Sequence, residues 1–157
     1  MPSHSRRRFA FVLVALLALS LRAAEPAAPT TPHKLASTIF HWEQLPVEQK
    51  PTGERREVCD GTTPTLAQFR SHVTTLTPHS PWPATEVHPD EELVIIKEGS
   101  LEYEINGRKQ HAGPGAVILI TAGDVHRSHN AGDTPVTYYV FHVVTHEAAR
   151  TAAAATR

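Results

Sequence analysis

From Glu91 to Val144 the sequence consists of short apolar stretches separated by turn residues at even intervals, and this pattern constrains the fold most strongly. In SLEYEI, residues 100–105, apolar and acidic side chains alternate, as expected for a strand with one buried face and one wet face. The following Asn106-Gly107 pair is a strong signal for a two-residue hairpin. Short strands at this spacing predict an all-β sandwich or barrel.

The remaining elements are less regular. Predicted strands lie at STIFHWEQLP (residues 37–46), RSHVTTLTP (70–78), 92–97, 100–105, 108–111, AVILI (116–120), VHRSHN (125–130) and TPVTYYVFHVV (134–144). We expect AVILI to be a buried strand, since it is apolar throughout. Residues 49–69 are predicted to be turn-rich, with Gly53 and Gly61 as breaks. The C-terminal tail is predicted to be helical or disordered.

The N-terminal segment has the pattern of a bacterial export signal. Near its start are three arginines at residues 6–8, which are followed by an apolar run from Phe9 to Leu21 and by small residues. The run is short for a membrane span, so we expect no stable span after signal removal. Residues 5–9, SRRRF, also resemble the twin-arginine signal S-R-R-x-F. The twin-arginine and general secretory routes both stay open, and both predict a periplasmic or secreted protein.

The sequence divides into an export signal at residues 1–24, a linker rich in proline and alanine at 25–37, a barrel domain at 38–145 and a tail at 146–157. Removal of residues 1–24 takes away four arginines and no acid, so the formal net charge changes from −1 to −5. No basic patch remains to neutralise phosphates, which argues against nucleic-acid binding.

Cys59 is the single cysteine, so no intramolecular disulfide can form.

One histidine and several acids crowd the start of the apolar strand in EVHPDEELVIIKEG, residues 86–99. The spacing resembles the first motif of cupins, small β-barrels of jelly-roll type, which reads G-x5-H-x-H-x3,4-E-x6-G. The second histidine, the glutamate and the last glycine of that motif fall on His88, Glu92 and Gly99. The resemblance covers about 45 residues of the barrel, which makes it far more specific than a lone His-x-x-x-Glu.

The second cupin motif, G-x5-P-x-G-x2-H-x3-N, is matched further along the chain. Its glycines, histidine and asparagine fall on Gly115, Gly123, His126 and Asn130. The chain departs from the two motifs at Ser80, Glu86 and Thr121, which replace a glycine, a histidine and a proline. In metal-binding cupins the corresponding residues hold one divalent ion inside the barrel. The resemblance therefore implies a small jelly-roll barrel with a metal site formed by Glu86, His88, Glu92 and His126.

Strand geometry is compatible with this ligand set. Residues two apart on a strand share a face, so Glu86 and His88 can project together into the barrel. A turn at Pro89-Asp90 would bring Glu92 alongside them, and closure of the sheet would bring His126 from a distant strand. Two imidazoles and a carboxylate form the three-ligand face typical of non-haem Fe(II).

Other roles for these residues remain open. Glu86 is a metal ligand, a general acid or base, or a solvated residue at the end of a strand. Asp90 and Glu91 are predicted to be solvated turn residues. His72 and His142 either line the pocket or are hydrogen-bonded core histidines, and Trp82 and Tyr103 either shape the cavity or simply pack. His129 should point away from the site by strand parity.

An oxygen-rich ligand set favours Mn(II) or Fe(II) on ligand hardness, with Zn, Ni and Cu as alternatives.

The cupin fold hosts many activities, so the resemblance does not select a reaction. The first hypothesis is a metal-dependent enzyme, oxygenase-like or isomerase-like, acting on a small organic substrate. The alternative is a non-catalytic extracytoplasmic protein that binds a small ligand or a metal.

We also expect a homodimer. Both faces of the strand at residues 93–96 are apolar, so something outside the barrel must cover its outer face. The segment around Ile39, Phe40 and Trp42 could cover this face within one chain or by adding a strand to the sheet of a second copy.

Overall fold

The structure of the protein is a computed structural model that describes residues 33–155. A short 3-10 helix at Trp42–Gln44 precedes nine strands and one α-helix. In chain order these are β1 (Val47–Lys50), β2 (Gly53–Gly61), β3 (Leu66–Leu76), β4 (Glu91–Glu98), β5 (Leu101–Ile105), β6 (Arg108–Ala112), β7 (Val117–Ile120), β8 (His126–His129), β9 (Val136–Thr145) and α1 (His146–Ala155). The predicted export signal and the first part of the predicted linker lie outside the described residues.

The strands form two antiparallel sheets. The larger sheet has the order β1-β2-β3-β9-β4-β7, and the smaller sheet has the order β6-β5-β8. The central pairing of β9 with β3 and β4 joins residues far apart in the sequence, such as Leu93 and Phe141. This arrangement confirms the predicted all-β jelly-roll fold.

The hydrophobic core lies between the two sheets. It contains Val94, Ile96, Leu101, Tyr103, Ala112, Ile120, Val136, Tyr138 and Val140. On β4 the residues Val94 and Ile96 are buried, whereas Leu93 and Ile95 on the outer face are only half-buried. Strand alternation therefore directs the even-numbered side chains of β4, including Glu92, into the barrel.

Turn geometry explains two of the predicted turns. Asn106 and Gly107 connect β5 to β6 with φ values of 48° and 77°, as a type I′ hairpin requires, which confirms the hairpin prediction. Gly99 follows β4 with φ of 76°, and a Cβ there would lie 2.5 Å from the carbonyl oxygen of Pro135. Only glycine fits this close approach between two segments of backbone.

Two predictions for the N-terminal half are wrong. Residues 37–46 form no strand and contain only the 3-10 helix at 42–44, and the predicted turn-rich region 49–69 contains the nine-residue strand β2. β2 is rich in charged residues, which have low strand propensity, but it pairs with β1 on one side and β3 on the other. Long-range pairing here outweighs local propensity.

The prediction that AVILI is fully buried is also wrong. Burial alternates along β7, so only its inward face is covered. Ile120 is fully buried, whereas Val117 and Leu119 are 62% and 63% exposed. A continuous apolar run is typical of a strand covered on both faces, but here the outer face is open.

The two ends of the described chain pack on the sheet region. Leu35 donates a backbone hydrogen bond of 2.9 Å to the carbonyl of Thr62, so pairing with the region after β2 begins within the predicted linker. At the other end the tail is helical, as α1. Within residues 33–155 no helix has the length and apolar character needed to cross a membrane.

Candidate metal centre

Three predicted ligands meet inside the barrel. Glu92 lies on β4, His88 lies in the loop between β3 and β4, and His126 is the first residue of β8 in the other sheet. His126 and Glu86 exchange two backbone hydrogen bonds of 2.8 and 3.0 Å, which fixes the segment before His88 against β8. Closure of the barrel thus brings His126 to residues that lie more than thirty positions earlier in the chain.

The carboxylate of Glu92 is held in one orientation. The hydroxyl of Tyr103 donates a hydrogen bond of 3.1 Å to Oε1 of Glu92. The other oxygen, Oε2, lies 3.0 Å from Nε2 of His88 and 3.5 Å from Nε2 of His126. Glu92 and His126 are only 5% and 3% exposed, so these three donor atoms converge in a site shielded from water.

The second nitrogen of each histidine is already engaged. Nδ1 of His88 lies 3.0 Å from the backbone oxygen of Asp90, and Nδ1 of His126 lies 3.0 Å from the backbone oxygen of Asp124. Because a carbonyl only accepts, each Nδ1 carries the proton and donates. In the neutral ring Nε2 then presents a lone pair to Oε2 of Glu92. Two acceptors this close need a hydrogen or a cation between them, and one metal ion can serve both imidazoles and the carboxylate at once.

The distances suit a cation. Two ligand atoms that each lie about 2.1 Å from an ion are about 3.0 Å apart when the ligand–ion–ligand angle is about 90°. They are about 3.4 Å apart when this angle is tetrahedral. The separations of 3.0 and 3.5 Å between Oε2 of Glu92 and the two imidazole nitrogens match these values. His88, Glu92 and His126 form one of two groups in the described chain that could hold an ion.

The second group shares His88 and adds Asp90 and His142. Oδ1 of Asp90 lies 3.1 Å from Nδ1 of His88, and its Oδ2 lies 2.7 Å from Nδ1 of His142. Asp90 is 8% exposed, so the prediction that it is a solvated turn residue is wrong. The turn that raises Glu92 onto β4 folds Asp90 inward between two imidazoles, a neighbourhood that the local sequence does not reveal.

His142 joins the site from β9. Its Nδ1 is 2.7 Å from Oδ2 of Asp90 and 3.8 Å from Oε2 of Glu92, so this buried nitrogen faces both carboxylates. Burial lowers the pKa of His142, and the Arg70 guanidinium lowers it further, against the opposing effect of the Glu92 and Asp90 carboxylates. The imidazole is thus biased toward the neutral form that binds metals.

Glu86 takes a different position from the other predicted ligands. The backbone pairing with His126 places the two side chains on the same face, and Glu86 lines the same cavity. Its side chain is exposed, however, and it belongs to neither of the two groups. Its roles as a ligand and as an acid or base therefore stay predictions.

The ligand groups border a cavity of about 370 Å³ between the two sheets. Of the two placements that the sequence left open for His72 and His142, the structure shows that both residues line this cavity. Trp82 and Tyr103 line it as well. Trp82 also stacks at 3.9 Å on His129, which lies outside the cavity lining, as strand parity predicts.

The motif departures are compatible with the structure. Ser80 is buried, and its Oγ accepts a hydrogen bond of 2.8 Å from the backbone N–H of Asn130. Thr121 donates from Oγ1 to the carboxylate of Asp124 at 2.8 Å, within the turn that precedes His126. Both residues therefore stabilise the loops on which the predicted ligands depend.

Sequence comparison agrees with this architecture. Residues 72–143, which include every residue of the two ligand groups, match the family described as Cupin_2, a cupin domain. Residues 72–143 therefore form a cupin domain. No curated protein matches the chain at the sequence level.

Solved cupin structures share the fold at low sequence identity. KdgF from Halomonas sp. is 14% identical, with a TM-score of 0.58 over 71% of this chain and 98% of its own. An RmlC-like cupin from Shewanella frigidimarina is 12% identical, with a TM-score of 0.57 over 71% and 95%. The polyketide cyclase RemF from Streptomyces resistomycificus is 18% identical, with a TM-score of 0.57 over 69% and 80%. At these identities the likeness establishes the fold alone.

Proposed function

We propose that this cupin is a divalent-metal protein whose ion is held by His88, Glu92 and His126 and which acts as an enzyme on a small organic substrate. One observation carries the proposal: Oε2 of Glu92 lies within 3.5 Å of two imidazole nitrogens whose other nitrogens are already hydrogen-bonded. A bound ion would polarise a substrate oxygen or bind a second reactant at its remaining positions. The polyketide cyclase among the structural neighbours shows that a barrel of this shape can host an enzyme.

The cavity supports a substrate-binding role. Its volume of about 370 Å³ falls within the range of small-molecule sites, and the ligand groups lie along its wall. The exposure of Glu86 in the cavity lining, outside both ligand groups, supports the proposal that it exchanges a proton with a bound molecule. Asp90 would act as a supporting group that orients His88 from its Nδ1 side.

Mn(II) or Fe(II) is the proposed ion, because the site combines a carboxylate with imidazoles and a further carboxylate stands nearby. We further propose that the protein works outside the cytoplasm, on the basis of the signal-like residues 1–24.

The second candidate function is that of a protein that only sequesters a ligand or a metal. An ion with all its positions filled by protein donors, and no turnover, would favour that candidate.

A homodimer is proposed from the exposed apolar surface of the barrel. Val117 and Leu119 on β7 are more than half exposed, and Ile39 and Phe40 are 78% and 48% exposed. Trp42 packs within its own chain, with Arg56 and Lys97 at 4.5 and 4.6 Å from its ring. The segment that carries Trp42 therefore leaves Ile39 and Phe40 free to contact a second copy.

Metal binding to purified protein tests the proposal directly. Wild-type protein should retain about one equivalent of Mn(II) or Fe(II) under anaerobic, neutral conditions, measured by elemental analysis after gel filtration. His126→Ala should abolish tight binding, because it removes one of the three converging donors, and His129→Ala is the matched control on the same strand. Circular dichroism should show both variants folded. Wild type without any divalent ion, or His126→Ala with an undiminished affinity, would contradict the proposal.

A further inference from the structure

The wall of the cavity formed by β3 carries one cationic and one neutral polar side chain, each with a buried nitrogen that has no hydrogen-bond partner in the described chain. Arg70 and His72 lie two residues apart on β3, so both side chains point into the barrel, and both line the cavity. Nε of Arg70 and Nδ1 of His72 are buried without a hydrogen-bond partner. His72 is 6% exposed, so water at the surface does not satisfy it either.

The other cations of the cavity are already paired. Arg127 donates two hydrogen bonds, of 2.8 and 3.2 Å, to one oxygen of Glu104, and Arg55 pairs through Nε with Glu57. By contrast, the nearest carboxylate oxygen to Arg70 is Oδ2 of Asp90 at 3.9 Å, beyond hydrogen-bond reach. Asp90 is in turn occupied by the two imidazoles of His88 and His142.

The local field around this wall is positive. The pKa of His72 falls from its ordinary value of 6.5 to about 3, because of burial first and then the nearby Arg55, His142 and Arg70. His72 is therefore neutral at physiological pH and acts as a hydrogen-bond group rather than as a charge. A half-buried guanidinium with no carboxylate within hydrogen-bond reach is costly, and an anion bound in the cavity would remove that cost.

We propose that Arg70 and His72 form an anion subsite that binds the carboxylate of a small organic acid. The planar guanidinium of Arg70, which borders the cavity, matches the two oxygens of one carboxylate, and the neutral ring of His72 beside it adds a hydrogen-bonding group. His72 stacks against His142 at 5.9 Å, so the subsite adjoins the second ligand group. A second oxygen of the same acid would thus lie toward the metal centre. This last step rests on the proposed function, whereas the subsite itself does not.

Calorimetric titration with malonate tests the subsite, with malonamide as the uncharged analogue of similar shape. Wild type loaded with Mn(II) should bind malonate at least about tenfold more tightly than malonamide, because only malonate offers carboxylates to Arg70. Arg70→Gln should weaken malonate binding roughly 10- to 100-fold, the range for hydrogen bonds between charged groups. The malonate affinity of Arg70→Lys should fall between those of wild type and Arg70→Gln, since lysine keeps the positive charge but lacks the planar pair of N–H donors.

Arg108→Gln is the control, because Arg108 is exposed and lies outside the cavity lining. All variants should keep Mn(II) binding and the circular dichroism of the wild type. The same titration in EDTA separates the two proposals: malonate binding that depends on Arg70 without Mn(II) supports the subsite even if the metal proposal fails. Malonate affinity within twofold of wild type in Arg70→Gln, equal affinity for malonamide, or tighter Arg70-dependent binding of inorganic phosphate would each overturn the carboxylate subsite.

Discussion

Glu86 is the residue that most separates the candidate mechanisms. It occupies the place of a histidine in the first cupin motif, yet the structure leaves its side chain exposed at the cavity and outside both ligand groups. His142, which the motifs do not contain, instead approaches Glu92 from β9 at 3.8 Å. The residue at the histidine position of the motif, Glu86, therefore belongs to neither ligand group. His142, which comes from another strand, belongs to one of them.

The variant Glu86→Gln should therefore keep the metal and lose turnover once a substrate is known. The amide preserves the shape of the side chain but neither accepts nor releases a proton at neutral pH. Metal content by elemental analysis is the first measurement, with His129→Ala as the control. Complete loss of the ion would identify Glu86 as an essential ligand, whereas a weakening of about 10- to 100-fold would identify it as a supporting group.

At the scale of elements, the loop after β8 holds the second motif in place. The side chain of Asn130 is fully buried and donates hydrogen bonds to the backbone oxygens of Thr134 at 2.8 Å and Thr77 at 3.1 Å. Its Oδ1 accepts from the backbone N–H of Gly132 at 3.0 Å. One side chain thus connects the end of β3 to the β8–β9 loop, which explains why this motif position requires asparagine.

Asn130→Ala should lower the free energy of unfolding by on the order of 2 kcal/mol, because several buried backbone groups lose their partner. Urea unfolding followed by circular dichroism measures this change. Asn106→Gly, in the exposed β5–β6 hairpin, is a suitable comparison, since glycine readily adopts the positive φ found there. Equal stability of Asn130→Ala and wild type would show that the loop rearranges to satisfy these groups elsewhere.

At the scale of the whole molecule, the larger sheet has an inner face covered by the smaller sheet and an outer face that is partly open. β7 lies at its edge, with Val117 and Leu119 directed outward next to the half-buried Leu93 and Ile95 of β4. Edge strands with exposed apolar side chains tend to associate unless something covers them. The proposed second copy would cover this strip.

Leu119→Lys should therefore convert a dimer to a monomer while leaving the barrel folded. A buried lysine would face a desolvation cost in the interface, but in the isolated barrel it would point to water. Sedimentation velocity at micromolar concentration compares wild type with the variant, and Lys109→Ala, an exposed substitution on β6, is the control. A monomeric wild type would contradict the proposed dimer.

The sequence by itself determined the part of the fold that depends on short-range pattern. Alternating polarity at residues 100–105 and the Asn106-Gly107 pair specify β5 and its hairpin, because both signals act between neighbouring residues. Motif spacing also predicted that His88, Glu92 and His126 meet, and the structure brings these three together. β2 was missed, since its charged residues become a strand only through pairing with β1 and β3.

Only the tertiary structure decided which further side chains surround the predicted ligands. Asp90 is adjacent to a proline in a polar stretch, which locally indicates a solvated turn, yet the turn folds it between His88 and His142. His142 and Arg70 reach the site because β9 pairs with both β3 and β4, a long-range contact that no local signal encodes. Strand parity sets the face on which a residue lies, but register and sheet closure decide what that face meets.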